Sequence, residues 1–145
     1  TGKATIVPMV LVETDQTPYW GAWDIFVRET LVAQGLVDVL DTSFYHIVKS
    51  VDEAVERLTA FYRVYHSSRI VGDNLVFRLN RALRDTDLTL IQNRFEDVLR
   101  GRVEQAPGPY PQEFNEYPDL PRLLLPFNRS SYARLRQLID FVNQL

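Results

Sequence analysis

The first hydrophobic segment of the chain is an almost unbroken apolar run over residues 4–12. A strand with one wet face alternates polar and apolar positions, whereas a parallel strand covered by helices on both faces is apolar throughout. The run therefore predicts an interior strand of a parallel sheet, and it implies that the sequence opens inside a larger nucleotide-binding fold. A polar loop over residues 13–18 follows at the carboxyl end of this strand, where open α/β sheets bind ligands.

Two helices and a second strand follow this segment. Apolar residues at helical spacing predict a helix over residues 22–34, and Gly35 stands where a left-handed cap would end it. A short apolar segment over residues 44–48 predicts the second strand. A capping-box pattern of serine and glutamate then starts a helix that we expect over residues 50–68.

A turn at Gly72 predicts the boundary between two regions, residues 1–71 and residues 72–145. Beyond it, the periodicity predicts a strand, a helix, two strands and a helix, in a small βαββα module of ferredoxin-like type with two helices on one face of the sheet. We place these elements at about residues 75–80, 86–100, 102–105, 122–128 and 131–145. The fold class predicted from the whole pattern is α/β.

The second region also contains a proline-rich loop and several arginines. Five prolines interrupt residues 106–121, which we expect to form a surface loop. The strand over 75–80 alternates, which predicts one buried and one wet face. Six arginines on or near wet faces are expected to be solvated: Arg78, Arg81, Arg122, Arg129, Arg134 and Arg136. For the last four of these, the alternative is that they form an interface.

Composition narrows the possible functions. The chain is 46% hydrophobic with a net charge of −3, which argues against an overall basic field for nucleic acid or anionic membranes. It has no cysteine, so disulfides, thiolate metal sites and a cysteine nucleophile are excluded. No apolar run approaches the roughly 20 residues of a membrane span. We expect a cytoplasmic protein. We expect no metal, because its two histidines lie in different elements, and no cofactor, because no glycine-rich phosphate turn occurs.

The loop after the first strand holds the first group of candidate ligand-binding residues. Glu13 and Asp15 could accept hydrogen bonds from ribose hydroxyls, and the rings of Tyr19 and Trp20 could hold a base or sugar. The alternative is that the aromatic residues fix the helix onto the sheet. As a general acid/base pair the two carboxylates are unconvincing, because an exposed loop offers no means of raising a pKa.

A second candidate group follows at the expected end of the second helix. Arg63, His66 and Arg69 could bind an anion there. The alternative is that they complement the helix dipole, as basic residues in a last turn commonly do.

Several short segments in the first region occur in an order that resembles a known family. They are Thr1-Gly2-Lys3, the strand ending Val10-Leu11-Val12, Tyr19-Trp20-Gly21-Ala22-Trp23, Gln34-Gly35-Leu36-Val37, and Tyr45-His46-Ile47-Val48 before Val51-Asp52-Glu53-Ala54. This order is similar to the carboxyl-terminal part of Lonely Guy (LOG) proteins, which are often mislabelled lysine decarboxylases. The segment over residues 61–73, with the residues that follow it, resembles a longer bacterial subgroup with an added module.

The resemblance implies a Rossmann-like fold, a homodimer, and cleavage of the N-glycosidic bond of a nucleoside 5′-monophosphate to free base and ribose 5-phosphate. The family's Pro-Gly-Gly-x-Gly-Thr-x-x-Glu phosphate turn, with its catalytic glutamate, does not occur in this sequence, so no catalytic residue is assigned. We therefore expect a fragment that is inactive alone, whose first strand pairs with a second copy, with another chain or within a rearranged sheet. The alternative is a non-catalytic module for oligomerisation or ligand sensing.

Overall fold

A computed structural model of the chain describes residues 6–15 and 18–145 and shows a mixed α/β protein. Internal contacts divide it into two compact units, an N-terminal unit over Val7–Phe61 and a C-terminal unit that includes Tyr62–Leu145. The first two residues of the predicted first strand, 4 and 5, lie outside the described residues.

The N-terminal unit is a β-α-β-α arrangement. Its elements are β1 (Met9–Val12), α1 (Tyr19–Phe26) with a π-helical continuation (Val27–Val32), a 3-10 helix (Val39–Phe44), β2 (Tyr45–Val48) and α2 (Val51–Phe61). β1 and β2 pair in parallel, from Met9 opposite Tyr45 to Val12 opposite Val48. The parallel pairing and the helical connection agree with the sequence analysis.

β1 is not the covered interior strand that its composition predicts. Its one neighbour among the described residues is β2, and the side chains of Met9 and Val12 are 51% and 40% exposed. Val7, just before the strand, is exposed as well, while Val10 and Leu11 are half-buried. Two strands and two helices supply too little surface to cover both faces of a parallel pair.

The first helix ends as its glycine predicts. Gly35 has φ of +69°, and the amides of Gly35 and Leu36 donate to the carbonyls of Val32 and Leu31. This is a Schellman motif, in which a left-handed residue satisfies the last carbonyls of a helix. The helical segment begins three residues before the predicted one, because α1 starts at Tyr19.

The second helix is shorter than predicted, and the difference changes the second region. α2 ends at Phe61, and the residues expected to complete it form β3 (Tyr65–Val71). β3 forms an antiparallel hairpin with β4 (Asn74–Leu79) around Gly72, whose φ is +59°. The turn predicted as a domain boundary is therefore the tip of a hairpin, and the two units divide at Tyr62 instead.

The C-terminal unit is built on a four-stranded antiparallel sheet in the order β3-β4-β6-β5. Its later elements are α3 (Asp85–Arg94), β5 (Glu104–Ala106), β6 (Arg122–Leu125) and α4 (Tyr132–Val142). The predicted order of these elements is confirmed, and Pro126 marks the end of β6. β6 lies between β4 and β5, so it is a central strand.

The core of the C-terminal unit includes both faces of β4. Leu75, Phe77 and Leu79 are buried on one face, and Val76 and Arg78 are buried on the other. The alternation over residues 75–80 thus predicts the strand correctly but not a wet face. We call the second of these two faces the polar face, because it carries Arg78.

The start of β3 is fixed by one side chain from the end of α4. The carboxamide oxygen of Asn143, which is buried, accepts hydrogen bonds from the amides of Val64 at 2.8 Å and Tyr65 at 2.9 Å. A buried amide that loses its acceptor keeps the free-energy cost of desolvation, without the hydrogen bond that offsets it.

We expect Asn143→Ala to lower the free energy of unfolding by about 2 kcal/mol, because it leaves these two amides without an acceptor. Urea unfolding followed by far-ultraviolet circular dichroism measures the change. The control is Gln144→Ala at the adjacent exposed position, which should alter stability by less than about 0.5 kcal/mol. Equal midpoints for the two variants would contradict the assignment.

Candidate functional site

Glu13 lies at the carboxyl edge of the parallel pair, where the sequence predicts ligand contacts. Its carboxylate accepts hydrogen bonds from the amide of Gly21 at 2.7 Å and from the ammonium of Lys49 at 2.8 Å. Gly21 is in the first turn of α1, and Lys49 directly follows β2. Glu13 therefore connects three elements, with its negative charge at the positive end of a helix.

These contacts define the chemistry of the carboxylate. The hydrogen bonds from Lys49 and Gly21 hold the pKa of Glu13 below its ordinary value, so the group is ionised at neutral pH. A Cβ on residue 21 would lie 3.4 Å from the carboxylate, which is van der Waals contact. A ribose hydroxyl would have to compete with both internal donors. Asp15, the second predicted carboxylate, is exposed in the following turn.

The predicted aromatic residues belong to a row of edge-to-face contacts. Ring centroids are 4.9 Å apart for Tyr19 and Trp20, 6.1 Å for Trp20 and Trp23, and 4.9 Å for Trp23 and Tyr45. The hydroxyl of Tyr45 donates to Asp24 on α1, and burial together with this bond raises the pKa of Tyr45 to about 12. The row thus connects α1 to β2, as the structural alternative predicts.

Tyr19 has a second environment besides this row. Its side chain is 66% exposed and lines a shallow, open depression of about 580 Å³ with Pro18, Ala22, Trp23 and Phe26. The lining is largely apolar, so the depression suits the face of a planar ring. Trp20 is half-buried and does not line it.

The second predicted group is only partly brought together. Arg63 donates to the carbonyl of Asn143, at the end of α4. His66 and Arg69 instead contact the proline-rich loop, through the ring of Tyr117 and the carboxylate of Glu116. The helix-dipole alternative is wrong for this group, because α2 ends at Phe61 and two of the three residues lie on β3.

Two arginines expected to be solvated are buried on the polar face. Arg78 on β4 and Arg122 on β6 are directly opposite each other, where two like charges destabilise a sheet. The carboxylate of Glu113 lies between them, 3.1 Å from Nε of Arg78 and 2.8 Å from Nε of Arg122. The prediction of solvation is wrong because the proline-rich loop, residues 107–121 in the structure, covers this face.

Arg122 also organises the loop that covers it. Its guanidinium donates to the backbone carbonyls of Glu116, Tyr117 and Leu120. Phe114, Asn115 and Tyr117 in the same loop have positive φ, a conformation that costs free energy in residues other than glycine. The expected surface loop is therefore a folded segment anchored on a buried cation.

The remaining arginines of the second region also differ in part from the expectation. Arg134 is half-buried and pairs with Asp97 at 2.7 Å, and Arg136 is buried and pairs with Asp140 one helical turn later. Arg81 and Arg129 are exposed, as predicted. Interface formation by the last four arginines stays a prediction.

The charge of each group on the polar face follows from its neighbours. Burial opposes ionisation of Glu113, but the hydrogen bonds from Arg122, the Tyr110 amide and Arg78 outweigh it, so the pKa of this carboxyl lies below its ordinary value. Burial, and then the charges of Arg78 and Arg122, lower the pKa of His66. His66 is therefore neutral at pH 7.

Similarity to known proteins points to no further site. No protein-family model matches the chain, and no curated protein or solved structure is significantly similar to it. Across residues 6–15 and 18–145, no three histidine or acidic side chains are grouped so that they could hold a metal ion. In the same ranges, every helix is too short or too polar to span a bilayer.

We expect Glu113→Gln to destabilise the C-terminal unit by about 3 kcal/mol or more, because it removes the buried negative charge that lies between two buried guanidiniums facing each other. Urea unfolding measures the loss. Glu116→Gln is the matched control in the same loop and should cost at most about 1 kcal/mol, since the carboxylate of Glu116 is largely exposed. Comparable losses for the two variants would refute a central role for Glu113.

His66 makes stability depend on pH. Its folded-state pKa lies below the unfolded value of about 6.5, so the unfolded chain binds more protons and stability falls as the pH drops below about 6.5. The groups facing His66 include Arg78, Arg122 and the hydroxyl of Ser67, together with the ring of Tyr117.

Unfolding midpoints of the chain measured between pH 7.5 and about 5 should therefore fall less steeply for His66→Gln than for the wild type. If the variant reproduces the wild-type slope, His66 does not contribute.

Proposed function

We propose that this chain provides the last β/α units of a LOG-like nucleoside 5′-monophosphate phosphoribohydrolase, followed by an appended α/β module. The observation that carries the proposal is the parallel β1–β2 pair, joined through a helix and left with apolar residues exposed on β1. Such a pair is expected where further parallel strands and helices complete the sheet. The order of residues that resembles the LOG family supports the same conclusion.

In this proposal, the chain contributes to binding rather than to bond cleavage. The sequence lacks the family's phosphate turn and its glutamate, so the catalytic groups belong to other parts of the sheet. Tyr19 offers an exposed ring next to an apolar depression, and Asp15 offers an exposed carboxylate at the carboxyl edge of β1. We assign Tyr19 to the base and Asp15 to the ribose hydroxyls, with Glu13 holding α1 in position.

The reaction is hydrolysis at C1′ of the ribose. The bond between C1′ and the base nitrogen breaks, the oxygen of water forms the new bond to C1′, and the base leaves with a proton. The products are the free base and ribose 5-phosphate. The proposed assembly is a homodimer.

We expect the protein encoded by the whole gene that contains this chain to release ribose 5-phosphate from AMP or a related monophosphate, and the 145-residue chain to release none. In the active protein, Tyr19→Ala should raise KM by about tenfold with little change in kcat, because it removes ring contacts made with substrate and transition state alike. Coupled detection of ribose 5-phosphate measures both quantities. Absence of release across a panel of monophosphates would reject the activity.

A second candidate function is a non-catalytic module for oligomerisation or ligand sensing. The exposed apolar residues of the N-terminal unit favour it, because surfaces of this kind mark interaction sites. The gene sequence upstream of Thr1 distinguishes the two candidate functions. A glycine-rich phosphate turn and glutamate encoded there support the enzyme, whereas a start codon immediately before Thr1 supports the module.

A further inference from the structure

The polar face of the C-terminal unit carries an excess of positive charge. Arg69 on β3 projects on the same side of the sheet as Arg78, because its partner Val76 is two residues from Arg78 on β4. Together with Arg122 it forms a group of three guanidiniums. The proline-rich loop supplies the two carboxylates that pair with these guanidiniums, those of Glu113 and Glu116. One positive charge is left unbalanced while His66 is neutral.

The two carboxylates are held very differently. Glu113 is completely buried between Arg78 and Arg122. The side chain of Glu116 is 54% exposed and reaches Nη2 of Arg78 at 2.6 Å and Nη1 of Arg69 at 3.4 Å. The second of these contacts is long for a charge-assisted hydrogen bond. Glu116 therefore neutralises Arg78 well and Arg69 poorly, at a position open to water.

The backbone of residue 116 is fixed independently of its side chain. Its carbonyl accepts from Arg122, and its amide donates to the carbonyl of Glu113. The carboxylate of Glu116 can consequently rotate away without loss of the contacts that hold the loop. A dissolved anion that took its place would meet two guanidinium groups already positioned by the sheet.

One wall of this position is aromatic. The ring of Tyr117 lies 4.8 Å from the His66 ring and 4.8 Å from the guanidinium carbon of Arg78. The hydroxyl of Ser67, which projects on the same face as Arg78, contacts Nδ1 of His66 at 2.9 Å. The side chains that surround the position thus combine two cations with polar and aromatic groups. We call His66, Arg69, Arg78 and Tyr117 the Arg69 cluster.

We propose that the Arg69 cluster is a binding site for a small phosphate-bearing anion and that the carboxylate of Glu116 is an internal occupant which the anion displaces. Two guanidiniums favour phosphate because its oxygens accept several hydrogen bonds at once, and a dianion also neutralises the charge that one carboxylate leaves unbalanced. The site is formed by residues of the C-terminal unit alone and does not depend on the proposed enzymatic activity.

The test is a titration of the 145-residue chain with inorganic phosphate at pH 7.5, with sodium chloride holding the ionic strength constant. Glu116→Gln should bind phosphate about tenfold more tightly than the wild type, because the internal competitor has lost its charge. Adding Arg69→Gln to this variant should remove the gain. Adding Arg100→Gln instead, at an exposed position elsewhere in the same unit, should leave the gain intact.

A second measurement locates the bound anion. Phosphate should shift the amide resonances of Ser67, Arg69 and Tyr117 in Glu116→Gln. A parallel titration with a simple sugar phosphate distinguishes free phosphate from a phosphate monoester as the preferred ligand. The proposal is overturned if a folded Glu116→Gln variant binds no more tightly than the wild type, or if Arg69→Gln leaves the affinity unchanged.

Discussion

The interaction on which the C-terminal unit depends is the contact of one buried carboxylate with two buried guanidiniums. Arg78 and Arg122 face each other across neighbouring strands, so their sheet register is favourable only when Glu113 lies between them. The same contact determines the path of the proline-rich loop. The loop must fold back over the polar face, and the hydrogen bonds from Arg122 to its backbone carbonyls fix its conformation.

The N-terminal unit follows a different rule. Its parallel pair is held by local connections: a carboxylate at the start of α1, a row of rings from α1 to β2, and a Schellman motif after the helix. None of these supplies cover for the apolar residues of β1. One unit is therefore closed by its own buried charges, and the other leaves apolar surface available to a partner or to further strands of a larger sheet.

Residue types in the sequence predict those helix ends that depend only on contacts between neighbouring residues. Gly35 marks a helix end, as its residue type suggests, and the hydroxyl of Ser131 accepts from the amide of Arg134 at the start of the predicted last helix. The boundary between α2 and β3 could not be found in this way, because residues 65–71 become a strand only through pairing with β4. The burial of Arg78 depends likewise on a glutamate 35 positions away. Glu13 was placed correctly at a strand end, yet its partner Lys49 approaches it only through the parallel register.

Both tryptophans of the chain, Trp20 and Trp23, belong to the aromatic row of the N-terminal unit. Intrinsic indole fluorescence excited at long wavelength therefore comes from residues of that unit. The C-terminal unit contains most of the tyrosines, including Tyr65 against Phe77 in its core. Unfolding of the N-terminal unit can therefore be followed through its own tryptophans, without an added label.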